Sequence, residues 1–100
     1  NYAEAKKVFY RIISIDRSYP KSYYNIGWML LQQDSTEKAL RQFTIAIQEK
    51  PDYVEAYFNR GLCQEILGDL TKAREDYQQA LTFNPDYAAA TEALQRINKK

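Results

Sequence analysis

The chain has 100 residues, 45% of them hydrophobic and 27% charged, with 14 basic against 13 acidic side chains and a net charge of +1. That composition suits one small folded domain and argues against disorder. The near-neutral balance gives no pull toward nucleic acid or an anionic membrane surface.

Two residue counts narrow the chemistry. There is no histidine, which removes the commonest general base and the commonest metal ligand. Cys63 is the single cysteine, so no internal disulfide and no thiolate cluster for zinc can form. One cysteine also suits a reducing, cytoplasmic compartment. The three glycines build no phosphate-cradling loop. No apolar run approaches the roughly 18 residues of a membrane span, so no membrane partner is expected. No catalytic residue, metal site or cofactor is expected either, and the chain does not read as an enzyme.

In chain order, the residues fall into six predicted helices, at about 2–16, 20–33, 37–49, 54–67, 71–83 and 87–98. In the second, Tyr23, Ile26, Gly27 and Leu30 recur at three- and four-residue steps and form one face. Asp34, Ser35 and Thr36 supply a turn and candidate N-caps. Ala39, Phe43, Ala46 and Ile47 make the stripe of the third helix, which Pro51 ends. Asp52 then stands as an N-cap, with Glu55 at capping-box spacing. Tyr57, Gly61, the Gly68-Asp69 turn, Ala73, Tyr77, Ala80 and Pro85 repeat the plan.

The repetition has a fixed interval. Pro51 and Pro85 are 34 residues apart, and sliding the sequence against itself by 34 aligns several columns. Ala5, Ala39 and Ala73 coincide, as do Phe9, Phe43 and Tyr77, then Ile13, Ile47 and Leu81, then Tyr19, Tyr53 and Tyr87. Tyr23 meets Tyr57, Asn25 meets Asn59, and Gly27 meets Gly61. Recurring tyrosines suit packing between repeats better than catalysis, which needs one site. Small residues at Gly27, Gly61, Ala39 and Ala73 let helices approach closely while aromatic rings fill the gaps.

These residues resemble the tetratricopeptide repeat family. Tyr23-Ile26-Gly27-Leu30-Ala39-Phe43-Pro51 fits its pattern at every step. Tyr57-Arg60-Gly61-Gln64-Ala73-Tyr77-Pro85 fits with Arg60 and Gln64 where apolar residues are usual. Asp34 stands for the usual turn glycine, and Arg17 for a closing proline. The resemblance implies an all-α fold, a right-handed α-α superhelix of antiparallel helical hairpins. Its divisions are a half repeat at 1–19, full repeats at 20–53 and 54–87, and a C-terminal capping helix at 88–100. The first helix of the half repeat is missing, so either the chain reads as a fragment of a longer one or its helix at 2–16 serves as an unusual cap.

The resemblance further implies a concave groove, lined by the first helix of each repeat, that binds peptide segments of partner proteins. The matching positions are Lys21, Tyr24, Asn25, Trp28, Leu31 and Gln32, then Glu55, Phe58, Asn59, Leu62, Glu65 and Ile66. The last helix adds Ala89, Glu92, Ala93 and Arg96. Independently of the family, Tyr24, Trp28 and Leu31 form a second apolar stripe on their helix, and Phe58, Leu62 and Ile66 repeat it one unit later. A second stripe either invites a partner or is covered within the protein. Trp28 and Phe58 are the expected anchors, and Asn25 and Asn59 are either ligand-bonding or satisfied surface amides. Some chaperone-binding members hold a C-terminal carboxylate with lysine, asparagine and arginine. Here Glu55 and Asn59 occupy the places of the lysine and arginine, so that clamp is not expected. The function read from all this is a protein-interaction module. The alternative is a structural spacer, or a self-association segment forming a homodimer through the exposed N-terminal helix.

Overall fold

A computed structural model of the protein describes residues 19–99. The expected helix at 2–16, the half repeat around it and any dimer through it lie outside the described residues. Within them the chain forms five helices: α1 (Pro20–Gln32), α2 (Thr36–Glu49), α3 (Val54–Ile66), α4 (Leu70–Phe83) and α5 (Ala88–Asn98). Each packs against the next in sequence, giving two antiparallel hairpins, α1–α2 and α3–α4, and a final single helix. The first helices α1 and α3 also touch each other.

The turns inside the two hairpins share one hydrogen-bonded design. After α1, the amides of Asp34 and Ser35 bond back to the carbonyls of Leu31 (3.1 Å) and Leu30 (2.9 Å). After α3, Gly68 and Asp69 do the same to Glu65 (3.1 Å) and Gln64 (2.9 Å). This paired closure satisfies carbonyls that the helix end leaves open, and it requires a left-handed residue at its centre. Gly68 holds φ +89° and Asp34 φ +63°. Asp34 therefore adopts the strained conformation for which glycine is the easier residue.

The turns between hairpins are set by proline. Pro20 opens α1 at a position where a missing N–H costs nothing. Lys50 and Asn84, just before Pro51 and Pro85, are extended, and each donates its amide to the carbonyl four residues back at 2.9 Å. Asp52 does not cap α3 as expected. Tyr53 occupies the cap position, no side chain bonds there, and Asp52 is exposed. Asp69 does cap α4, accepting from the Lys72 amide at 3.1 Å.

The core follows the small-residue pattern. Phe43 and Tyr77 are completely buried, each against a glycine of the partner helix. A Cβ added at Gly27 would lie 2.8 Å from Phe43 Cε1, and one at Gly61 2.5 Å from Tyr77 Cε1. Both distances are shorter than van der Waals contact, so the helices approach this closely only because the side chain is absent. Ile26, Leu30, Ala39, Phe43 and Cys63 form one buried cluster. Tyr23, Ala46, Ile47, Tyr53 and Ala56 form a second across the α2–α3 boundary. Ala73, Tyr77, Ala80, Ala90, Ala93 and Ile97 form the third, joining α4 to α5.

Arg60, the charged residue in an apolar position, has a partner. Its Nε and Nη2 donate to the two carboxylate oxygens of buried Asp76 at 2.9 and 2.8 Å. Burial alone lowers the guanidinium's pKa, but the hydrogen bonds and charge of Asp76 raise it overall.

Candidate peptide groove

The candidate groove residues lie on α1, α3 and α5, the first helices of successive units. Side chains that cross from one to the next hold these helices together. Tyr24 on α1 is half-buried, with its ring 5.2 Å from Tyr53 and 5.7 Å from Phe43. Its phenol accepts a hydrogen bond from Asn59 Nδ2 on α3 at 3.1 Å. Asn59 Nδ2 also donates to the Glu55 carbonyl at 2.9 Å, and Asn59 is only 8% exposed. Its amide hydrogens are thus engaged within the protein.

The next seam is ionic. Arg96 on α5 donates through Nη2 and Nε to the Glu65 carboxylate on α3 at 2.6 and 3.1 Å. The same carboxylate accepts from the Tyr77 phenol at 2.8 Å. Arg96 is raised above its ordinary pKa, first by that hydrogen bond to Glu65. Two candidate ligand-binding charges therefore brace α5 against α3 and α4.

The second apolar stripe divides in two. Its first members are packed: Phe58 is half-buried, 5.6 Å from Tyr77 and 5.7 Å from Tyr87 between ring centres. Two others are open: Trp28 is 45% exposed and Ile66 63%. Leu31 and Leu62 lie between these extremes. Leu62, Glu65, Ile66 and Arg96 line an open depression of about 370 Å³ between α3 and α5. Lys21, Gln32, Glu55 and Glu92 are exposed, while Asn25 and Ala89 are half-buried. Ala93 is 1% exposed and belongs to the core, so it offers no surface.

Three tyrosines sense the charge of Glu55, and two of them, Tyr53 and Tyr87, sequence reasoning assigned to packing between repeats. Burial raises the phenols of Tyr24, Tyr53 and Tyr87 above their ordinary pKa, Tyr53 to about 12, and the negative charge of Glu55 adds to the rise in all three. Tyr87 in turn adds to the rise at Tyr24. The signal for Tyr53 and Tyr87 was the recurrence of tyrosine just before each first helix. Cys63 is fully buried, and desolvation pushes its thiol up to about 12. Thiolate chemistry at neutral pH is disfavoured there.

Among the described residues, no group of three or more histidine, cysteine, aspartate or glutamate side chains could hold a metal. No helix among them is long and apolar enough to cross a membrane.

Comparison with known proteins agrees with this architecture. Models of the tetratricopeptide repeat match residues 20–53 and 54–87. The chain belongs to the tetratricopeptide repeat family. It is 31% identical over 77 residues to human protein O-mannosyl-transferase TMTC1, covering 77% of this chain and 9% of that protein. It is 28% identical to human tetratricopeptide repeat protein 6, covering 87% of this chain and 23% of that protein. The chain therefore spans less than a quarter of either curated relative. The second TPR domain of human RPAP3, solved with the HSP70 peptide SGPTIEEVD, superposes with a TM-score of 0.93 at 28% identity, over 99% of this chain and 82% of that one. The first TPR of Spaghetti (RPAP3), bound to the HSP90 peptide SRMEEVD, superposes with a TM-score of 0.95 at 24% identity, over 98% and 78% of the two chains.

Proposed function

We propose that this chain is a protein-interaction module that takes a peptide or helix of a partner protein into the groove formed by α1, α3 and α5. The carrying observation is the pair of large apolar side chains left open on first helices, Trp28 at 45% and Ile66 at 63% exposure. The earlier members of the same stripes, Tyr24, Phe58 and Leu62, are at least half-buried, so among the described residues these two stand out as open. Large rigid side chains bordered by polar groups are the usual anchors of an interface. The peptide-bound RPAP3 domain supports the same reading, since it shares this backbone arrangement. Binding rests on apolar burial and hydrogen bonds, with no reaction, cofactor or metal in the proposal.

The mode of recognition differs from capture of a C-terminal carboxylate. Glu55 places a negative charge where such a clamp needs a positive one, and the Asn59 amide is committed to Tyr24 and Glu55. The test is a random-peptide display selection on the wild-type chain and on a Trp28→Ala, Ile66→Ala variant. Peptides retained by the first and lost by the second support the groove. An equal harvest, or none, favours the spacer reading.

A further inference from the structure

The groove's charge pattern specifies its ligand more closely, on the reading that it is a groove. Glu55 stands exposed in the first turn of α3 and makes no ion pair among the described residues. Aromatic residues engage its neighbours on α3. Tyr24 reaches across from α1 to the Asn59 side chain, which is itself bonded to the Glu55 carbonyl. Tyr87, at the start of α5, packs on Phe58 three residues further along α3. An exposed carboxylate without an ion-pair partner favours a cationic group by charge. The cluster already holds one cation at its edge: Lys50 Nζ sits 4.9 Å from the Tyr53 ring centre. The remaining groove charges do not cancel Glu55. Arg96 is taken by Glu65, Glu92 adds a second exposed carboxylate, and Lys21 is the exposed cation on α1.

We propose that Glu55 is a cation-binding subsite of this groove, and that the partner peptide places an arginine or lysine side chain on it. The same peptide seats an apolar side chain against Leu62 and Ile66. Glu55 lies seven and eleven residues before these two on one helix, roughly 10 and 16 Å at 1.5 Å per residue. An extended peptide covers that span in about three to five residues. The ligand is therefore a basic residue and a large apolar residue separated by about three to five positions. A peptide with acidic residues there meets Glu55 and Glu92 and is repelled.

The probes are peptides retrieved by random display on the wild-type chain, resynthesised with citrulline in place of arginine as a neutral isostere. Their affinities are measured for the wild type and for Glu55→Gln, whose folding circular dichroism verifies. The expected result is a basic residue at the stated spacing, about tenfold weaker binding on either neutralisation, and little further loss on combining them. Retrieved peptides without a basic preference, or citrulline and arginine peptides of equal affinity, overturn the subsite while leaving the groove intact. A harvest insensitive to Trp28→Ala, Ile66→Ala overturns the groove and the subsite with it.

Discussion

Arg60 and Asp76 form a two-pronged ion pair between α3 and α4, at 2.9 and 2.8 Å, with the carboxylate side chain only 8% exposed. The arginine occupies a position where the repeat ordinarily places an apolar side chain, so the aspartate sixteen residues later is what makes the substitution tolerable. Removing one partner is predicted to harm the fold more than removing both. Asp76→Ala strands a mostly covered guanidinium and costs about 2–3 kcal/mol, discounted because Arg60 remains 23% exposed. Arg60→Leu combined with Asp76→Ala costs less than Asp76→Ala alone, as read from urea unfolding midpoints. Additive losses would contradict the pairing.

Adding one methyl group at Gly61 should cost about 2 kcal/mol. The new Cβ meets the Tyr77 ring at 2.5 Å, and that ring is held by Phe58 on one side and Glu65 at its hydroxyl. Gly27→Ala should cost less, since its nearest contact is 2.8 Å. Denaturant midpoints of the two variants rank the effects, and a neutral Gly61→Ala would refute the close approach.

The two left-handed turn residues make opposite predictions. Gly68→Ala forces a side chain into φ +89° and costs about 1 kcal/mol, although nothing crowds the new Cβ. Asp34→Gly relieves φ +63° and gains about 0.5 kcal/mol, the remainder being lost to the freer unfolded chain. Thermal unfolding of both variants provides the check.

Alkali should unfold the protein before it affects the helices directly. Burial raises Cys63 from 9.0 to about 12 and Tyr53 from 10.0 to about 12, so the folded state holds these protons more tightly. Stability from such groups is complete below their unfolded pKa and is lost as pH climbs through the folded one. The urea midpoint is therefore predicted to be flat up to about pH 9 and to fall between pH 9 and 12. A midpoint constant across that window would contradict the burial of these groups.

The apolar stripe should separate by function. Phe58→Ala loses contacts to Tyr77 and Tyr87 and is predicted to cost about 3 kcal/mol of stability. Trp28→Ala and Ile66→Ala, at exposed positions, should each change stability by no more than about 0.5 kcal/mol. Unfolding curves of the three variants test this, and they explain why the exposed pair makes the cleaner binding probe.

Local information carried most of the fold. The helix ends follow from Pro51, Pro85, Gly68 and the small-residue stripes, because each acts through its own backbone or its own helical face. What the sequence did not make legible were pairings across elements. Asn59 read as either a ligand-bonding or a satisfied surface amide, yet it bonds Tyr24, 35 residues away, one repeat plus one residue. Glu65 and Arg96 read as groove charges, yet they clasp each other at a separation of 31, one repeat less three residues. Such offsets bring residues together on neighbouring first helices, but only the packing distance and helix rotation decide which offset meets. Asp52 failed as a cap for a similar reason: the turn after Pro51 places Tyr53 at the helix entry instead.

Trp28 is the chain's single tryptophan and lies 45% exposed on α1, so its emission reports directly on the groove. Titrating the wild-type chain with a display-selected peptide that lacks tryptophan is the most direct test of peptide binding at this face. The account predicts a saturable blue shift as the indole is covered, lost when Ile66→Ala weakens the complex. Saturable binding with unchanged Trp28 emission would place the peptide elsewhere and contradict the groove.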